Sequence, residues 1–333
     1  MASTGIGGRT SQHIGRILLR AIVTLVMVGT LNFILFRVIP GDPAALLLGG
    51  ARISATAEQI EAQRQNWGLD RPLFPDQAVD YLSATLRGDF GYSFKFTGRH
   101  VADLILERLP ATIALVGLAQ IVAISCGVML GLYAGWRRGG AVDRIATGTS
   151  LALYSTPSFW LGMILVVIFS TTLGWLPGYG IYSPGAGIGS ADRLLDYLRH
   201  LALPVTAVAL GLIGQYVVVA RAAMSDVVTE DYMVTARAKG LTGGQMLMRH
   251  AFRNAMLPVV TLVTLNLGYV VAGAITVEAV FSWPGIGGLT VEALNARDYP
   301  VLQGIFLLLG ASIVVANLLA DLAYGFLDPR VRQ

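Results

Sequence analysis

Long apolar stretches separated by polar connections set the rhythm of this chain. Six of them, roughly Ile17–Ile39, Ala111–Gly135, Ile145–Leu173, Leu201–Ala220, Met256–Val280 and Val301–Tyr324, reach the length of about 20 helical residues needed to cross a hydrocarbon core. They lack the alternation of barrel strands, and backbone groups in lipid must be satisfied within their own segment, so each predicts a helix. The expected fold is all-α: a polytopic transmembrane helical bundle of six helices, with both termini on one side. Arg9, Arg16 and Arg20 precede the first run, Arg137, Arg138 and Arg144 fill the second connection, and five basic residues lie from Arg221 to Arg253. By the positive-inside rule these segments, with a tail over 1–16, are expected in the cytoplasm. The stretch Ser282–Pro300 carries one arginine, Arg297, and is expected outside.

Composition agrees with that solvent. The chain is 54% hydrophobic, 13% charged and has a mean hydropathy of +0.64, too apolar for an ordinary soluble domain. The net charge of +4 is spread over short connections, with no continuous basic stripe, which favours lipid headgroups over nucleic acid. Cys126, alone inside an apolar run, excludes an intrachain disulfide or a CxxC site and reads as a buried small side chain. The first run is too long for the core of a signal peptide and is followed by no small-residue cleavage site, so it is expected to remain as a membrane helix.

The connection over 41–109 is long and patterned enough to fold as a small extracytoplasmic cap. Thr56 and Gln59 form a capping-box pattern, Ile60 and Trp67 share a helix face, and Gly68 is placed to end that helix. A second helix is predicted over Asp76–Leu86, stopped by Gly88 in the turn Gly88-Asp89-Phe90-Gly91. Within the spans, Gly127, Gly131 and Gly135 recur every fourth residue and predict a face bare enough for another helix to approach. Pro157 predicts a kink in the third span. Asn32, Gln120, Gln215, Asn266 and Asn317 each need a partner, and interhelical hydrogen bonding is favoured over lining a pathway.

The connection from Arg221 to Ala255 carries the strongest local pattern. Asp231–Lys239 has good helix formers, acids first and bases last, in accord with the helix dipole. Gly240 sits where a left-handed cap residue belongs. Thr242 and Gln245 repeat the capping-box spacing, and Pro258 falls at the expected start of the fifth membrane helix. A protruding helix-turn-helix is the result.

The stretch Asp231-Tyr232 through Thr235-Ala236-Arg237-Ala238-Lys239-Gly240-Leu241 resembles the EAA loop of ABC importer permeases, in the form found in the dipeptide/oligopeptide/nickel branch. It departs from the general pattern at Val234-Thr235-Ala236, which stands where Glu-Ala-Ala is usual, and in a longer spacing from Gly240 to Leu257-Pro258. Both departures are typical of the peptide branch. Other motifs follow in family order: Phe36 through Pro43, Gly68-Leu69-Asp70-Arg71-Pro72, Gly88 through Gly91, Arg108 through Thr112, Thr156 through Trp160, Glu278 through Gly287, Arg297 through Pro300 and Asp328-Pro329-Arg330. Pro40 through Pro43 and Asp328 through Arg330 bring the chain nearer the B-type permease than its C-type partner. The resemblance implies a type I ABC importer permease domain over 17–333, with 221–255 as its cytoplasmic coupling loop. It also implies a heterodimer with a second homologous permease subunit, two ATP-binding-cassette ATPase subunits, an extracytoplasmic solute-binding protein and a plasma-membrane location. Asp231, Tyr232, Thr235, Ala236, Arg237, Lys239, Gly240, Leu241 and Thr242 are the residues expected to couple to the ATPases. Dipeptides, oligopeptides, glutathione-like peptides and nickel complexes are all cargo of similar permeases, whose choice sits mainly in the binding protein.

Two rival classes fit less well. An intramembrane enzyme needs HExxH, GxSxG or a phosphate-cradling loop, none of which occurs; no catalytic residue, metal or cofactor is expected. His13, His100, His200 and His250 lie outside the membrane runs or at their rims and suit structural or interfacial roles. An ion-coupled carrier places carboxylates near the membrane centre, whereas Glu278 and Asp321 fall toward helix ends. Uptake by the reconstituted chain alone would mark a carrier.

Overall fold

The computed structural model of the chain describes residues 5–37, 71–185, 190–267, 269–272 and 274–327. The helices there are α1 (Gly5–Arg37), α2 (Ala78–Leu86), α3 (Val101–Trp136), α4 (Ala141–Tyr154), α5 (Ser158–Leu165), α6 (Ser190–Val228), α7 (Asp231–Ala238), α8 (Gly243–Met246), α9 (Phe252–Leu267), α10 (Tyr269–Ala272), α11 (Ile275–Val280), α12 (Ile286–Ala296) and α13 (Tyr299–Leu327). Wide π turns over Leu73–Gln77, Val166–Thr172 and Leu247–Ala251 precede α2, extend α5 and join α8 to α9. The helix expected over Thr56–Gly68 and the motifs Pro40–Pro43 and Asp328–Arg330 lie outside the described residues. Among the described residues the only β pairing is an isolated bridge between Tyr92 and His100.

Among the described residues four helices, α1, α3, α6 and α13, are long and apolar enough to cross a membrane unaided, and α4 with the stretch Ser158–Thr172, bent by 99°, makes a fifth if the two count as one span. The remaining apolar run, Met256–Val280, is divided among α9, α10 and α11. Its pieces follow one neighbour. Asn266 meets Gln120, Val270 faces Gly117 and Glu278 bonds Thr112, so the contacts climb α3 steadily. The all-α bundle of apolar helices is thus consistent with the six expected spans, two of them interrupted.

The interruption in the third span exceeds the expected kink. Thr156 precedes a proline, whose ring drives it out of the helical region, so α4 ends at Tyr154 and α5 restarts at Ser158 with Pro157 as its N-cap. Thr156 Oγ1 donates to the carbonyl of Ala152 at 2.7 Å, satisfying one exposed acceptor. Both halves stay on α6: Gly214 abuts Ser150 and Tyr154, Gly211 abuts Ser158, and Gly162 abuts Ala207. A second correction concerns Pro258, which lies inside α9 rather than at its start. The capping box at Thr242 opens a helical path that runs through the π turn into the span, and lipid-embedded helices tolerate an interior proline.

The glycine stripe explains the tightest packing. A Cβ at Gly131 would stand 2.5 Å from the Val217 carbonyl oxygen; at Gly127 it would stand 2.8 Å from Tyr216 Cβ, and at Gly135 2.6 Å from the Arg221 carbonyl oxygen. Only bare backbone lets α3 and α6 approach this closely. Leu115, Ala119, Ala123, Val208, Tyr216 and Ala220 fill the core around the seam. The outer face is apolar too: Val26 is 61% exposed, Leu31 65% and Met129 73%, a surface suited to hydrocarbon. Cys126 belongs to this exposed face and is not buried as the sequence suggests.

The polar residues divide. Tyr216 Oη donates to Gln120 Oε1 at 2.8 Å and accepts from Asn266 Nδ2 at 2.9 Å, joining the second, fourth and fifth spans. Asn32 Nδ2 donates to the Gln303 carbonyl, tying α1 to α13. Gln215 is half-buried and Asn317 is exposed.

Candidate functional site

Loop 221–255 shows the local structure its residues dictate. α7 covers Asp231–Ala238, with Asp231 in its first turn and Arg237 in its last. Gly240 takes φ +77°, its N–H bonds the Arg237 carbonyl at 3.0 Å, and the Leu241 N–H bonds the Ala236 carbonyl at 3.3 Å. That pair of bonds is a Schellman cap. Immediately after it, Thr242 N–H donates to Gln245 Oε1 at 3.0 Å and Gln245 N–H donates to Thr242 Oγ1 at 3.4 Å, so the capping box is reciprocal. Each bond closes within six residues, which makes the turn a property of this stretch.

The loop has two sides. Met233, Ala236 and Met246 are buried in the main apolar cluster, with Trp136, Val227, Leu241 and Leu247 packed against them. Tyr232, Val234, Thr235, Arg237, Lys239, Gly240 and Thr242 are exposed, as is Asp231. Of the nine residues singled out from sequence, seven thus share the outer surface, while Ala236 and Leu241 anchor the loop to the bundle. Tyr232 Oη accepts from Asn254 Nδ2 at 2.9 Å, closing α7 onto α9. In the sequence Asn254 is marked only as a polar residue in the last turn before an apolar run.

At the root of the loop, Arg221 Nε and Nη2 donate to the two carboxylate oxygens of Asp143 at 2.6 and 2.9 Å. Asp143 also accepts the Gly139 N–H at 2.9 Å, which holds the turn before α4. The Asp143 side chain is 4% exposed and the Arg221 side chain 33%. In the sequence Arg221 stands out only as one of several basic residues, and Asp143 carries no local signal.

The opposite end of the bundle contains another buried carboxylate. Glu278 is fully buried on α11 and accepts from Thr112 Oγ1 at 2.8 Å, Gly287 N–H at 2.7 Å and Gly288 N–H at 3.2 Å. The two amides belong to the first turn of α12, so the carboxylate caps that helix across the Phe281–Gly285 turn. Trp283 Nε1 donates to the Ala111 carbonyl and Ile286 N–H donates to Thr112 Oγ1, fixing the turn to α3. Nearby, Asp298 is fully buried and accepts from Ser93 Oγ and from the Phe94 and Lys95 N–H groups, pinning the 93–96 loop to the α12–α13 corner. Among the described residues no group of three His, Cys, Asp or Glu side chains could hold a metal.

Known proteins resemble the chain in sequence along nearly its whole length. Residues 127–333 match the family model described as binding-protein-dependent transport system inner membrane component, and residues 11–116 match the model for its N-terminal part. The chain is 40% identical over 320 residues to the probable peptide ABC transporter permease protein y4tP of Sinorhizobium fredii, covering 96% of this chain and 99% of that protein. It is 39% identical over 329 residues to the di/tripeptide transport system permease protein DppB of Pseudomonas aeruginosa, covering 94% and 96%. It is 38% identical over 315 residues to the glutathione transport system permease protein GsiC of Escherichia coli, covering 95% and 97%. With its helical spans and its family matches at both ends, the chain belongs to the inner membrane components of binding-protein-dependent transport systems.

Proposed function

We propose that the chain is the permease subunit of an ATP-driven importer that moves small peptides across the plasma membrane by alternating access. The observation that carries this reading is the rigid turn at Gly240, which presents Tyr232, Arg237, Lys239 and Thr242 outward while Met233, Ala236 and Met246 seat it on the bundle. In this reading the exposed side, with Asp231 and Thr235, enters a groove of a separate ATPase subunit. Nucleotide-driven closure of two such subunits pushes the loop as a rigid body and reorients the spans. ATP hydrolysis belongs to those subunits. A second homologous permease completes the pathway, and a solute-binding protein delivers cargo from outside. Relatives named for peptides, di/tripeptides and glutathione support peptide cargo.

The turn provides the test. No atom lies within 4 Å of a Cβ built at Gly240, so Gly240→Val acts through its positive φ and not through a clash. The strain costs on the order of 1 kcal/mol or more and tilts the turn. The variant is expected to insert normally, yet to lose co-purification with the ATPases or binding-protein-stimulated ATP hydrolysis. Thr242→Ala acts in the same direction and more weakly, by the ~1 kcal/mol of a lost N-cap. Transport at the unmodified rate by the Gly240 variant would remove the coupling assignment.

Topology is tested separately. Thr97 and Gln245 are both exposed, one beyond the outer end of α3 and one in the loop. In a Cys126→Ser background, single cysteines there are expected to react with an impermeant maleimide from opposite sides, with Gln245 and both termini cytoplasmic. Labelling from the same side would refute this orientation.

A further inference from the structure

Arg221 is the residue at which the loop begins and three spans meet. Its carbonyl packs on Gly135 of α3, its backbone belongs to α6, and its guanidinium grips Asp143 in the first turn of α4. Asp143 is saturated with donors: two from Arg221, one from Gly139 N–H and a longer one from Thr147 Oγ1 at 3.4 Å. A half-buried ion pair adds little net stability, because desolvation offsets the attraction, but its two-pronged geometry fixes orientation. The helix it holds is a 14-residue arm, about 21 Å long at 1.5 Å per residue, ending at the break Ser155–Pro157. The arm is thus fastened at one end to the root of the loop and interrupted by a 99° bend at the other.

We propose that Asp143 and Arg221 are positioning residues of the coupling step: their ion pair makes α4 move with the root of loop 221–255, and the Ser155–Pro157 break is the pivot about which α4 swings against α5. Without the pair, α4 is still tied to α6 by the packing of Ser150 and Tyr154 on Gly214, near the pivot, so its Asp143 end lags when α6 and the loop shift. The inference rests on the reading of 221–255 as the coupling loop, and the test separates the two.

The measurement uses the full importer in lipid nanodiscs, with spin labels in a Cys126→Ser background. One pair of labels spans Thr97 and Met248 on the loop side, and the other spans Thr97 and Gly148 on α4; all three positions are exposed, and Gly148 has no atom within 4 Å of its Cβ position. In the unmodified importer both distances are expected to change when the ATPases bind a non-hydrolysable nucleotide. Asp143→Asn keeps an oxygen for Gly139 N–H and removes the charge. In that variant the Met248 distance is expected to change as before, the Gly148 distance to change by clearly less than in the unmodified importer, and transport per ATP hydrolysed to fall about tenfold, within the usual span of coupling effects. Arg221→Lys, which keeps the charge and gives up the two-pronged grip, is expected to fall between the two, and it carries the same measurement if Asp143→Asn does not assemble. Should the Gly148 distance change normally in the variants, the proposal is overturned. A Met248 distance that never responds in the unmodified importer overturns the coupling-loop reading and the proposal with it.

Discussion

Leucine at Gly131 is expected to prevent the bundle from closing. A side chain there has nowhere to go: its Cβ would stand 2.5 Å from the Val217 carbonyl oxygen and 2.8 Å from Ala220 Cβ, and the first of these is backbone in the middle of α6. Overpacking a core by a few methylenes costs about 1–3 kcal/mol, and more when helix backbones must separate. The seam runs on through Gly127 and Gly135, so parting α3 from α6 at one rung strains the next. The expected readout is loss of a monodisperse peak in detergent, or a markedly lower thermal midpoint. Gly148→Leu is the matched control, an exposed helical glycine with nothing within 4 Å, and is expected to behave like the unmodified chain.

Removing the carboxylate of Glu278 is expected to have the second largest effect. Alanine there leaves the Gly287 and Gly288 N–H groups and the Thr112 hydroxyl without their acceptor, in a site the carboxylate fills completely. Each buried polar group left unpaired costs about 1–3 kcal/mol. The turn from Phe281 to Gly285 loses its hold on α3, and α12 loses the acceptor for its first-turn amides. Glu278→Gln restores one acceptor oxygen and is expected to recover part of the loss. The order unmodified, Gln, Ala in detergent thermal midpoints checks this, and equal midpoints for Gln and Ala would contradict it.

What could be read from the sequence follows the range of the interactions. The Gly240 turn and the Thr242 capping box were legible because their hydrogen bonds close within six residues, so local residue types decide them. The glycine stripe was legible as a periodicity, although its partner α6 was not. Asn32, Gln120 and Asn266 announced a need for partners without naming them; Tyr216, which completes the triad with Gln120 and Asn266, looks from sequence like any membrane aromatic. The Asp143–Arg221 pair spans 78 positions and had no local signature. Pro157 signalled a disturbance, but the size of the bend depends on how both halves pack along α6. Pro258 misled because a proline often opens a helix, whereas here the helix had already been started by its cap.

The bond from Asn32 to the Gln303 carbonyl joins residues 271 positions apart, and Phe36 reaches Phe306 across the same contact, at 5.8 Å between ring centroids. During synthesis, at about 5–20 residues per second, the first span waits roughly 15–50 s in the bilayer before its partner emerges from the ribosome. Until then α1 has the short 74–81 segment as a neighbour, Tyr81 Oη donating to the Gly29 carbonyl at 3.2 Å, and it carries exposed apolar side chains, Val26, Met27 and Leu31, suited to lipid. Nascent chains arrested before α13 are therefore expected to hold α1 inserted but without its α13 contacts, open on that side to capture by a membrane chaperone or a quality-control protease until the last span arrives.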